Sequence, residues 1–318
     1  MSKVLVIGNG FDIALGLYSK YSNFVNARST IEHAFWPFRD EPKGEFANIS
    51  LYRHFYDYFN SHKDDLGNIL WIDIESELLR YAKSKVGKPV DTRLAEYDEY
   101  HFDFLKMMLQ KYFSIVTTLE RPNPQSKFVK LMSAIKANAE FKKVYSFNYT
   151  DLTDELISFL GFRAEEVPEV VYVHGRPDPE NLSNIVLGIN EDLSIPDEYH
   201  FLFKSKQAHP TDLAIDMALA DEVIFYGLSL GEIDFPYFKS FFNYVASQSI
   251  IDPKKHISIF TFGKNCVAAI DRSIHAMGVK IHDLKEKSYF NVIDMDNLIL
   301  PGYDETAYNN IIERLNGK

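Results

Sequence analysis

The chain of 318 residues is 46% hydrophobic and 14% aromatic, with a formal net charge of -11. That much apolar side chain excludes a disordered polypeptide, and the acidic balance argues against a general nucleic-acid binder, whose phosphate contacts need clustered cations. A single cysteine, Cys266, excludes an intrachain disulfide and a zinc ribbon and fits a reducing cytosol.

The first element is read in VLVIGNGFDIALGL, residues 4–17. A β-branched run ends in Gly8-Asn9-Gly10 and a helical pattern follows at once, as an open α/β sheet begins when it binds a nucleotide. The third glycine of the dinucleotide fingerprint is absent, and Asp12 stands where a phosphate is expected. The apolar run is about five residues long, too short for a secretory leader, and no stretch approaches the ~18 apolar residues of a membrane span. These features predict a soluble, cytoplasmic protein with no membrane partner.

Residues 31–140 are aromatic and helix-like, with the periodic stretches LYRHFYDYFNSH, DIESELLRYAKSK and AEYDEYHFDFLKMMLQKYFSIVTTL. Pro122 and Pro124 mark a break before QSKFVKLMSAIKANAEF. The strand-like runs resume with KVYSFN (143–148), VVYVHG (170–175), NIVLGI (184–189), EVIFYG (222–227) and HISIFTF (256–262). Helical patterns lie between them at 150–160, 235–248 and 265–278, the last with Gly278 as its cap. Strands alternating with helices imply βαβ units. The expected fold is α/β: a mostly parallel, Rossmann-like sheet flanked by helices. Residues 1–30 and 141–318 form the nucleotide-binding domain, and 31–140 a large helical insertion after the first βα unit.

The unusual polar and glycine residues fall just past predicted strands: Gly8-Asn9-Gly10, Asn148, His174-Gly175 and Gly227-Leu228-Ser229. In a parallel sheet these ends share the edge where ligands bind. Gly8 and Gly10 either make a tight turn or let backbone N–H groups approach an anion. Asp12 is a helix cap or a catalyst, and Asn148 a turn residue or a group that orients a water or ribose hydroxyl. His174 can accept a proton near neutral pH. Ser229 is a turn hydroxyl or a ligand contact. Asp73 and Glu75 suit a first helical turn as well as a functional role.

GNGFDIALGL, WIDIE, FNYTD, VHG, VLGI and YGLSLGEIDFPYF, in this order, resemble the bacteriophage abortive infection AbiH family over almost the whole chain. Tyr18 departs from the proline usual in that family after its Gly-Leu pair. The family is in turn similar to sirtuins and sirtuin-like NAD-cleaving defence proteins. By that resemblance Asn148 falls on a catalytic asparagine and His174-Gly175 on the base. Gly8, Asn9, Gly10, Phe11, Gly227 and Ser229 fall on loops that bind NAD. Asp12 replaces the loop serine; an anion beside a pyrophosphate costs binding unless paired or turned toward a ribose hydroxyl. Lys20-Tyr21 stands in place of a following arginine, and the four-cysteine zinc module of the deacetylases is absent.

The resemblance implies an antiphage protein that hydrolyses the nicotinamide–ribose bond of NAD, with Asn148, His174 and Asp12 catalytic. NAD or a related nucleotide is then substrate rather than cofactor, no metal is required, the phage trigger is unnamed and self-association is left open. Two other readings remain. One is a nucleotide-binding sensor without turnover. The other is a metal-dependent enzyme on another nucleotide or nucleic acid, with Asp12, Asp73 and Glu75 as ligands.

Overall fold

A computed structural model describes residues 2–26, 38, 40–62, 73–115, 122–138, 140–176, 184–207, 211–296 and 303–317. The chain divides into two compact units, one of Met1–Leu17, Thr118–Val173 and Pro210–Lys318, the other of Tyr18–Thr117 and His174–His209.

The first unit is built on six strands: β1 (Lys3–Ile7), β2 (Phe141–Ser146), β3 (Glu169–Tyr172), β4 (Glu222–Tyr226), β5 (His256–Thr261) and β6 (Tyr289–Asp294). They pair in the order β3-β2-β1-β4-β5-β6, every neighbour parallel. All five residues of β1 are buried, which explains its apolar run without alternation: a strand covered on both faces has no polar side. Val4 and Val6 face one core with Val223, Phe225, Ile257 and Ile259, covered by α8 (Leu213–Leu219), α9 (Phe235–Ser247), α10 (Lys264–Ala276) and α11 (Ile281–Lys287). Leu5 and Ile7 face the other, under α1 (Asn9–Leu15), α6 (Lys127–Lys136), α7 (Leu152–Ser158) and α12 (Tyr303–Leu315).

Local sequence sets the helix ends. Ser126 and Asp151 cap α6 and α7 by accepting from Val129 N and from Thr153 N and Asp154 N. The expected stop at Gly278 is a Schellman closure: with φ +88, Gly278 N donates to His275 O and Val279 N to Ile274 O. Strand β6 was not expected, because Asn291 interrupts a short run that follows a charged helix.

The second unit holds α2 (Tyr21–Asn26), α3 (Leu51–Ser61), α4 (Ile74–Lys83) and α5 (Thr92–Ile115). Ser50 and Asp73 cap α3 and α4. NIVLGI is a correction: residues 184–189 form no named strand, and Ile189 makes only an isolated bridge to Phe203. Its polar backbone is satisfied otherwise. Val186 N donates to His174 O and Ile189 N to Leu202 O, while the Gln207 amide serves Leu187 on both sides. Trp71, Ile72 and His209 lie outside the described residues, among which no helix is long and apolar enough to cross a membrane.

The sheet order reverses between β1 and β4, and the loops leaving these two strands touch backbone to backbone. Gly8 N donates to Tyr226 O and Gly10 N to Gly227 O, both at 2.9 Å. A Cβ on Gly227 (φ +64) would stand 2.4 Å from Gly10 Cα, and one on Gly10 2.5 Å from Gly227 Cα. Gly227→Ala should therefore lower stability by about 2–4 kcal/mol, from overpacking plus left-handed strain. Gly278→Ala shares the positive φ but meets nothing within 4 Å, and should lose only about 1 kcal/mol of strain. Urea unfolding midpoints compare the two; equal losses would remove the close approach as the cause.

Candidate active site

In the first unit helix α1 and the loop after β2 meet at Asp12. Its carboxylate is 1% exposed and accepts from Asn148 Nδ2 at 2.6 Å and from Thr150 Oγ1 at 2.8 Å. A carboxylate only accepts, so the contact fixes the amide: Nδ2 faces Asp12 and Oδ1 faces away. The turn that delivers Asn148 is held by its own N–H, which donates to Ser146 Oγ at the end of β2. Asn148 Oδ1 is buried with no hydrogen-bond partner among the described residues. Asn148 does not cap α7; Asp151 does.

Glu155, on α7, is the residue the sequence reading missed. It is buried, and Oε2 has no hydrogen-bond partner among the described residues. Burial first, and then the negative charge of Asp12, raise its carboxyl well above the usual carboxylate range. Two carboxyls that sense each other this way titrate as a pair. In sequence Glu155 is one acid among three in DLTDE, and nothing there marks it as the buried one.

The remaining strand-end residues of this unit have other partners. Gly8 and Gly10 donate their N–H groups to Tyr226 O and Gly227 O, and Phe11 N donates to Gly8 O. The glycines thus serve the close approach of two loops. Phe11 is fully buried, edge-on to Phe128 at 5.2 Å. Asn9 and Ser229 are exposed, and Leu230 beside Ser229 has φ +50.

His174 belongs to the second unit, where it is buried. Gly175 (φ +80) turns the chain directly after it; a Cβ there would lie 1.6 Å from Asn184 O, so no other residue fits. His174 Nε2 is 3.2 Å from Lys204 Nζ, which is 2.9 Å from Glu75 Oε1. An ammonium only donates, so Nε2 is the acceptor and the neutral ring carries its proton on Nδ1. Lys204 was not singled out in the sequence, as an ordinary lysine 30 positions from its histidine. Asp73 uses both oxygens on Ser76, as the cap of α4. Among the described residues no group of three or more His, Cys, Asp or Glu could hold a metal ion.

A model of the bacteriophage abortive infection AbiH family matches residues 4–251. The chain belongs to the AbiH family. Among solved structures, this AbiH chain is similar to a sirtuin studied for substrate affinity, with 14% identity, 98% of this chain and 93% of that one covered, and a TM-score of 0.31. It is also similar to Sir2 bound to an acetylated peptide, with 14% identity, coverage of 88% and 94%, and a TM-score of 0.29. Likenesses of that size transfer no ligand or residue role to the AbiH chain. Comparison with curated proteins gives no match.

The raised Glu155 carboxyl gives the fold a pH signature. The folded state holds this proton more tightly than the unfolded chain, so its contribution is full below the unfolded glutamate value of about 4.3 and is lost as pH rises toward the folded value. Glu155→Gln should flatten that decline, gaining stability relative to wild type at pH 8 but not at pH 4. Denaturant midpoints across this range test it, and parallel curves would place the proton elsewhere.

Proposed function

We propose that this AbiH-family chain acts in abortive infection by binding NAD and hydrolysing its nicotinamide–ribose bond, so that loss of NAD halts phage and host together. The observation that carries the reading is the buried Asp12–Asn148–Thr150 constellation at the ends of adjacent parallel strands, beside the point where strand order reverses. Open α/β sheets bind nucleotides at that edge.

The chemistry asks little covalent work of the protein. As the C–N bond to nicotinamide breaks, the ribose develops oxocarbenium character. A buried carboxylate already fixed by two donors stabilises that charge without reorganising. Asn148 Oδ1 is an acceptor for a ribose hydroxyl or for the attacking water. The water oxygen bonds to the anomeric carbon, nicotinamide departs neutral, and one proton must be removed. His174 is assigned that proton from its residue type and its place just after β3, with Lys204 releasing Nε2 first. Gly8, Asn9, Gly10, Phe11, Gly227 and Ser229 remain the proposed nucleotide loops, and no metal or further cofactor enters.

One feature favours the nucleotide sensor as second reading: Asp12 stands in place of the loop serine, and its carboxylate is taken up by Asn148 and Thr150. Nicotinamide release from NAD separates the two, measured on purified protein and in extract of phage-infected cells. Release by wild type that falls about a hundredfold or more in Asp12→Asn, Asn148→Ala and His174→Ala is expected. Binding of NAD without release in either setting would make the chain a sensor.

A further inference from the structure

The helical unit contains a cavity of about 490 Å³, within the usual size range of small-molecule sites. Its lining includes the cations Arg53 of α3 and Lys85 and Lys88 beyond the end of α4. It also includes the apolar residues Ile49, Pro89, Val90, Leu94 and Pro196. Nothing in the proposed NAD chemistry uses any of these residues.

Lys85 is the group that asks for a ligand. Its side chain is 12% exposed, and its ammonium lies 4.4 Å and 4.9 Å from the ring centres of Tyr81 and Tyr199. Its other contacts are long: 3.5 Å to Ile49 O and 3.8 Å to Asp98 Oδ2. Asp98 is itself committed, accepting from Leu51 N at 2.6 Å, from the Tyr81 hydroxyl, and from Tyr199 Oη at 3.3 Å. Burial lowers the Lys85 pKa against the pull of Asp98. The two ring faces and the 3.8 Å ion pair hold the ammonium without a close oxygen acceptor, so its donors are available to an anion in the cavity.

The acids on the cavity wall do not compete for that cation. Asp57 takes Arg53 Nε at 2.8 Å, and Asp91 Oδ1 accepts from Arg93 N and Leu94 N at 3.0 and 3.3 Å as the cap of α5. Arg53 is already paired with Asp57 and Glu41, which leaves two ammonium groups, a match for the double charge of a phosphate monoester rather than a single carboxylate. The apolar lining and the volume match an organic body on that phosphate.

We propose that this cavity is a binding site for a phosphate monoester of mononucleotide size, its phosphate held by Lys85 and Lys88 and its body by the apolar lining residues. Calorimetric titration of the full chain with the four ribonucleoside monophosphates, their unphosphorylated nucleosides and inorganic phosphate tests it. Expected is saturable binding of at least one monophosphate, weakened by salt, and weakened about tenfold or more in both Lys85→Met and Lys88→Met. Lys88 is exposed, so its variant remains informative if Lys85→Met fails to fold. Absence of monophosphate binding at millimolar concentration, or unchanged binding in Lys88→Met, would overturn the proposal. Inorganic phosphate binding as tightly as the nucleotide would refute the role given to the apolar lining. Loss of monophosphate binding in folded Asp12→Asn, with Lys88→Met unaffected, would move the phosphate to the proposed NAD site and overturn this one while leaving that reading intact.

Discussion

The contact between Gly10 and Gly227 sets what the sheet edge can be. Two loops leaving neighbouring strands approach until their backbones exchange a hydrogen bond at 2.9 Å, closer than any side chain on either residue permits. This fixes the start of α1, and the start of α1 fixes where Asp12 stands. From there the rest of the cluster follows: Asp12 receives Asn148 and Thr150 from the loop after β2, and its charge is felt by Glu155 one turn into α7. The glycine loop thus works through packing. It brings a carboxylate and a carboxamide together in the dry end of a parallel sheet, where both are costly to bury and therefore held hard.

Two of the parallel strands were legible because burial on both faces leaves a trace: KVLVI and EVIFY each run apolar for four residues without alternation. The same logic failed in two places. NIVLGI is as apolar as any strand, yet its backbone is spent on the His174–Gly175 turn and on Gln207, and apolar composition reports burial rather than pairing. YFNVID reads poorly because Asn291 and a preceding run of charge break the pattern, although its ladder to β5 is complete over six pairs.

Residues of the candidate site divide the same way. Asn148 was visible because it ends a predicted strand, and Asp12 because it stands where a phosphate is expected. Their mutual contact was not, since it joins positions 136 apart. Glu155 and Lys204 escaped notice for a plainer reason. Glutamate and lysine are common on surfaces, and only the fold shows that these two are buried. His174 was seen, but its state was not: the lysine on Nε2 and the glutamate behind it belong to other segments of the helical unit.

The sheet order also governs how the molecule can be made. Strand β1 pairs with β4, and the neighbouring Ser2 N bonds Asp221 Oδ2 across 219 positions. At ordinary synthesis speeds the first strand leaves the ribosome on the order of ten to forty seconds before its partner exists. Both edges of β1 are open until β2 is made and one edge until β4 is, the circumstance in which non-local parallel pairing is slowest and aggregation most competitive. The order of synthesis therefore leaves the last open edge of β1 to be closed only when residues 222–226 arrive.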